Sequence, residues 1–140
     1  MKIWVVNAQE NPPEPRVKVG RRQWRSNSLA ENLADRGHSV IRWRSSFSHQ
    51  KKRQLAEQSE IVELDNFQQQ FINSPSYVHH VGWKRHVNHV KLAAEFLRLA
   101  ELAETPDVIN VCWCIISMVL PRCIHVISNN RYVCHLMIID

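Results

Sequence analysis

The sequence predicts one α/β domain, a mostly parallel sheet with helices on its faces. Three observations carry that expectation. The chain opens on an apolar strand, Met1 to Asn7, passes through a glycine-bearing loop into an amphipathic helix, and returns through a β-branched strand. That βαβ order is the one used by domains that handle nucleotides and phosphates. The 140 residues are 44% hydrophobic and 22% charged, which is enough apolar matter for one core and too little charge for a disordered chain. After the longest helical stretch a further apolar run, Val108-Ile109-Asn110-Val111-Cys112, repeats the alternation of strand and helix. The expected fold class is therefore a single Rossmann-like domain.

The elements follow in order. Residues 8 to 23 form a long loop, stiffened at its start by Pro12, Pro13 and Pro15 and freed near its end by Gly20. From Trp24 or Ser26 to Arg36, Leu29 and Leu33 with Ala30 and Ala34 make one helical stripe. Ser26 or Ser28 is the expected cap, and Gly37 the residue that stops the helix. His38 to Trp43 is β-branched and aromatic, a strand expected to run parallel to the first. Residues 44 to 58 are polar and basic and read as a second loop, after which Ile61 to Leu64 and Phe67 to Ile72 form two short strands or a hairpin. Trp83 to Ala103 is the longest helix. Its apolar face is drawn from Val87, Val90, Ala94 and Leu97 together with Leu92, Phe96, Leu99 and Leu102, opposite Lys84, Arg85, Lys91, Glu95 and Arg98. Thr105-Pro106-Asp107 ends it. Val108 to Cys112 reads as a buried parallel strand, followed by a short helix over Ile115 to Leu120 and a last strand near His135 to Ile139. Trp4 and Trp43 are assigned to the core and Trp83 to covering the start of its helix.

Charge narrows the function classes. Eighteen Lys and Arg against thirteen Asp and Glu give a net charge of +5 with the eight histidines neutral. The excess gathers at Arg16 to Arg25, Arg42 to Arg53 and Lys84 to Lys91, segments suited to phosphates, anionic headgroups or nucleic acid. No stretch approaches the roughly 20 apolar residues of a membrane span and no signal core precedes the first strand, so the chain is expected in the cytoplasm. Cys112 and Cys114 are spaced CxC, and Cys123 and Cys134 do not complete a zinc site. Reduced thiols are expected. His79, His80, His86 and His89 bring no carboxylate partner on their face, so no metal and no cofactor are expected.

In open parallel sheets, ligands sit outside the carboxyl ends of the strands. The loops that begin at Asn7, Arg44 and Cys112 should line that crevice. In the first loop, Gly20 lets the backbone approach a ligand, and Arg21, Arg22 and Arg25 carry planar forks matched to phosphate oxygens near the free N–H groups of a helix start. In the second, Ser45-Ser46-Phe47-Ser48-His49-Gln50-Lys51-Lys52-Arg53 puts hydroxyls, an imidazole and three cations just past a strand end. His49 is suited to act as a base or to hold a hydroxyl or phosphate. Aromatic residues are too sparsely interleaved with the basic ones to argue for stacking on RNA.

Taken together, several segments resemble the amino-terminal domain of family 4 glycosyltransferases. They are Met1 to Asn7, Gly20 to Arg25 with Leu29 to Leu33, Arg36-Gly37-His38, Trp43 to His49 with Lys51-Lys52, Ser74 to Tyr77, the helix from Trp83, and Pro106 to Ile109. The likeness runs to about Leu120. It implies the first half of a GT-B enzyme of surface-polysaccharide assembly, in which one Rossmann-like domain binds a sugar or lipid-linked acceptor and a second binds a nucleotide-sugar donor for retaining transfer. Under that resemblance Gly20, Arg22 and Arg25 face the cleft, and Ser46, His49 and Lys52 help to hold acceptor or diphosphate groups. No metal is obligatory. A lipid-linked acceptor would bring the basic face to the inner leaflet. The donor domain is expected to be absent, because the sequence stops at Asp140; Pro121 and the run Arg122 to Ile127 also depart from the family pattern, as does Cys114. The chain then reads as inactive alone, either a truncated product or a subunit that borrows a donor domain. Rival expectations are a non-catalytic α/β module that binds an anion or nucleic acid, and a decayed gene fragment.

Overall fold

The computed structural model describes residues 1–8, 10, 25–48, 50–77, 82–112 and 133–137, with 112 and 133–137 described as backbone alone. Its elements are β1 (Lys2–Val6), α1 (Arg25–Asp35), β2 (Ser39–Ser45), β3 (Phe47–Ser48), β4 (Arg53–Gln54), β5 (Ile61–Glu63), β6 (Gln68–Ile72), α2 (Trp83–Leu102), β7 (Val108–Cys112) and β8 (Val133–Met137). Six strands form one sheet in the order β5-β6-β2-β1-β7-β8. All neighbours are parallel except β5, which pairs antiparallel with β6. The parallel Rossmann-like sheet expected from the sequence is present. Its order reverses at β1: the chain moves outward through β2 to β6, then returns to place β7 on the other side of β1. The switch point therefore falls between β1 and β7, where such sheets open a crevice.

The runs behave as their composition dictates. Ile3 to Val6 are all buried, as expected for a central strand covered on both faces. The helix stops where Gly37 allows it: Gly37 takes φ 82°, its N–H donates to the Ala34 carbonyl at 2.8 Å, and the His38 N–H donates to Leu33 at 3.2 Å. These two bonds are a Schellman motif. Residues 61–72 are the hairpin, β5 with β6. Within the segment read as the second loop, Arg44 and Ser45 extend β2, and β3 and β4 form a separate two-stranded sheet. The short helix expected over Ile115 to Leu120 and the cysteines Cys114 and Cys123 lie outside the described residues.

Two layers of core flank the sheet. On the α2 face Trp4, Val6, Trp43, Ile72, Leu92, Phe96, Ile109 and Val111 pack together. Trp4 and Trp43 are 4.8 Å apart between ring centroids, and Phe96 meets Trp43 edge-on at 5.1 Å and 80°, the tilted geometries that ring quadrupoles favour. On the α1 face Ile3, Val5, Ala30, Val40 and Phe67 form the apolar part.

Three sequence expectations for side chains are corrected. Trp83 does not cover the start of α2: it is 79% exposed. Of the two apolar rows of α2, the one through Leu92 and Phe96 is buried, with Ala93 beside it, whereas Val90, Ala94 and Leu102 face solvent. The helix is apolar over more than half its circumference, and the aromatic wall of Trp4 and Trp43 takes the row that ends in Phe96. Ser26 and Ser28 lie inside α1 rather than ahead of it, and the acceptor at its start comes from elsewhere, as described next.

Candidate functional site

The carboxyl edge of β1, β2 and β6 is where the described part of the expected crevice lies. Strand alternation sends Val40, Arg42 and Arg44 of β2 toward the α1 face and Trp43 toward the other. Arg42 is fully buried. Its Nη1 donates to Asn27 Oδ1 at 3.1 Å and to Gln69 Oε1 at 3.2 Å, and its Nη2 lies 3.6 Å from Glu10 Oε2. Glu10 in turn accepts from Asn7 Nδ2 at 2.9 Å and, through Oε1, from the Ser26 N–H at 3.2 Å. An internal carboxylate thus sits on the free N–H groups at the start of α1, the seat that a ligand anion takes in many α/β domains. Burial raises the Glu10 carboxyl above its ordinary value, and Arg42 together with the N–H groups of Ser26 and Asn27 pulls the other way.

Arg44 lies one strand repeat nearer the crevice and is 1% exposed. Its guanidinium rests over the Phe71 ring, 5.3 Å from the centroid, opposite its register partner. Nε and Nη1 have no hydrogen-bond partner. Burial and the adjacent Arg42 lower its pKa to about 9, against the pull of Glu10. Two of the cations counted in the basic segment Arg42 to Arg53 are therefore interior groups. The sequence reading missed this cluster. The available signal was parity: an arginine two residues after Val40 on a buried strand points where Val40 points, and an inward cation needs a carboxylate.

Past Ser45 the chain is held by hydroxyls. Ser45 Oγ lies 2.7 Å from Ser74 Oγ and accepts the Phe47 N–H at 3.0 Å. Ser46 is buried, and its Oγ accepts from the Ser74 N–H at 3.1 Å and from Gln54 Nε2 at 2.8 Å. These bonds tie the ends of β2 and β6 to the β3–β4 sheet. Lys52 turns the chain between β3 and β4 in the left-handed region, at φ 51°. Its Nζ stands 4.7 Å from the centroid of the Tyr77 ring, and Tyr77 meets Phe47 at 5.1 Å between centroids with the rings tilted by 49°. Burial raises the Tyr77 hydroxyl pKa against the effect of Arg85.

Of the expected site residues, the fold brings Ser46 and Lys52 into one loop cluster with Tyr77, and places Arg25 exposed at the first position of α1. Gly20, Arg22 and His49 lie outside the described residues, as do His79 and His80. Among the described residues no group of three His, Cys, Asp or Glu side chains could hold a metal, and no helix is long and apolar enough to cross a membrane.

Parallel order, a switch point at β1 and a polar crevice edge define a Rossmann-like domain. No protein-family profile and no curated protein matches the chain. Among solved structures it is similar to the E. coli trehalose-6-phosphate synthase bound with UDP-2-fluoro glucose, a GT-B glycosyltransferase, with a TM-score of 0.50 and 13% identity. The match covers 97% of this chain and 33% of that one. The chain thus has a GT-B-like fold and spans about a third of that neighbour's length.

Proposed function

We propose that the chain is the amino-terminal, acceptor-binding portion of a family 4 glycosyltransferase, one that transfers a sugar from a nucleotide-sugar donor to a polysaccharide or lipid-linked acceptor. The observation that carries the reading is the fit of nearly the whole chain onto one stretch of a two-domain GT-B enzyme, with a clamped polar loop at the carboxyl edge where such a domain meets its ligand. In this reading Lys52 and Arg25 supply the cations for a diphosphate or sugar phosphate, with Gly20, Arg22 and His49 alongside them. Ser46 acts by holding the loop in place, and Tyr77 offers an aromatic wall to a sugar ring. Donor binding and transfer require a second domain or a partner chain, since transfer needs donor and acceptor held together. The chain alone is inactive. A lipid-linked acceptor places it at the inner membrane surface from the cytoplasm.

Burial of Arg42 and Arg44 takes two cations out of the basic face that a nucleic-acid-binding module would need, so that alternative loses support. Ligand-observed NMR on the full chain tests the choice. A sugar linked through diphosphate to a short prenyl chain should bind, and Lys52→Ala and Arg25→Ala should each weaken it several-fold. UDP-sugars should bind only when a donor domain is supplied. Salt-dependent binding to short RNA with no response to the sugar diphosphate would overturn the proposal.

A further inference from the structure

The start of α1 holds more donors than its internal carboxylate meets. Ser26 is 1% exposed. Its N–H donates to Glu10 Oε1 at 3.2 Å, but its Oγ has no hydrogen-bond partner. Arg44, equally buried, stands on the same face of the sheet one strand repeat beyond Arg42, and its Nε and Nη1 are likewise without a partner. A buried hydroxyl and a buried guanidinium left in this state are each costly, and such groups in a native fold call for an acceptor. Charge shows the same deficit. Arg42 and Arg44 bring two positive charges against the single negative charge of Glu10, and these are the charges that act on Arg44. The next carboxylate, Glu31, accepts from Asn27 Nδ2 at 2.7 Å. α1 has no acidic residue in its first turn, so the carboxylate there comes from 16 residues upstream of Ser26. It fills the seat only in part: Glu10 Oε2 is 3.6 Å from Arg42 Nη2, beyond hydrogen-bond length. Burial also raises the Glu10 carboxyl against the pull of Arg42, so the occupant is itself held at a cost.

We propose that Ser26, Asn27, Arg42 and Arg44 form a binding site for a small tetrahedral oxyanion, a phosphate or sulfate group, in which Glu10 sits as a built-in competitor. The Glu10 carboxylate leaves by rotation of its own side chain. The incoming group takes over the Ser26 and Asn27 N–H groups, and its further oxygens meet Ser26 Oγ and Arg44. A carboxylate has two oxygens in one plane and serves the amide side alone, whereas a tetrahedral group presents oxygens toward the guanidinium as well. A dianion also leaves the buried cluster neutral, where Glu10 leaves it with one positive charge. The site lies under α1 and does not depend on the acceptor reading, whose cations are Lys52 and Arg25.

Titration of the full chain with sodium sulfate, at an ionic strength held constant with sodium chloride, tests it. Wild type should bind weakly. Glu10→Gln, which keeps the shape and removes the competing charge, should bind about tenfold more tightly or better, and the amide resonances of Ser26 and Asn27 should move on binding. Arg44→Met should abolish binding, alone or added to Glu10→Gln, and it keeps the fold because it removes only unpartnered nitrogens. Arg36→Glu, a charge change in the exposed turn after α1, should leave binding within about twofold. The groups that face Glu10 are Asn7 after β1, Ser26 and Asn27 of α1, and Arg42 and Arg44 of β2, with Glu31 behind Asn27. Glu31 is retained in Glu10→Gln, so the gap between wild type and that variant isolates Glu10. That gap should close as pH falls through the raised Glu10 value and its competing charge is lost. Methyl phosphate beside inorganic phosphate distinguishes the sources: equal affinity assigns the seat to a phosphate carried on a larger molecule, and affinity about tenfold weaker assigns it to the free ion. Equal sulfate affinity in wild type and Glu10→Gln, undiminished binding in Arg44→Met, or a gap that does not change with pH would overturn the proposal. Sulfate left unbound by every form, with sugar-diphosphate binding intact, would remove this site alone.

Discussion

The two faces of one sheet are stabilised by different chemistry. Under α2, Trp4, Trp43 and Phe96 fill an aromatic core. Under α1, the carboxyl half of β2 buries Arg42 and Arg44 with Glu10, Asn27 and Gln69. The aromatic face gains from every buried area. The polar face breaks even only while each charge keeps its partner, since desolvating an ion costs several kcal/mol. The difference teaches where this fold spends stability: the charged layer lies at the carboxyl edge of the sheet, and the apolar layer carries the fold.

The comparison can be broken most severely at its two centres. Trp43→Ala should cost about 3 to 5 kcal/mol through a cavity, and Arg42→Ala about the same through a stranded Glu10 carboxylate. The urea midpoint should then separate them, because adding Glu10→Leu to an Arg42→Met chain should recover most of the second loss and nothing offers such a rescue for the first. Next, Arg44→Met should raise stability, by about 1 to 3 kcal/mol, as two unpartnered nitrogens leave the interior.

Two smaller tests have opposite signs. The folded chain holds the Glu10 proton more tightly than the unfolded chain. Its contribution is therefore full below the ordinary value of 4.5 and is lost as pH rises through the raised folded value; Glu10→Gln should remove that decline. Glu95 is lowered to about 2, first by its hydrogen bond from Arg98, so it stabilises above 4.5 and loses this as pH falls toward 2. The pair is largely solvated, and Glu95→Gln should cost only about 0.3 to 0.5 kcal/mol at neutral pH.

Legibility in the sequence followed the same division. β1 and β7 were readable because their runs are apolar and bounded, β2 and β6 because β-branched or aromatic residues mark them, and Gly37 announced the end of α1. What escaped was whatever depends on which neighbour lies across a strand. Arg42 read as a strand residue at the head of a basic segment and Arg44 as the start of a basic loop, because their charge outweighs, on paper, the parity they share with Val40. Val90 read as core because α2 has two apolar rows and only the packing against Trp43 chooses between them. Glu10 lies two residues ahead of the prolines at 12 and 13, with no local sign that a helix start would claim it. Ser46 and Lys52 follow the end of β2, as their run in the sequence implies, but the clamp by Ser74 and the approach of Tyr77 depend on β6 returning beside β2.

β5 is three residues long and covers the outer side of β6, whose sequence Gln68-Gln69-Gln70-Phe71-Ile72 has no charge and no proline. Uncovered, that segment would present a glutamine-rich open rim of the kind that recruits like strands into fibres. With Glu60 ahead of it and Glu63 as its last residue, β5 acts as a hem, and trimming it should favour strand-to-strand association into fibres.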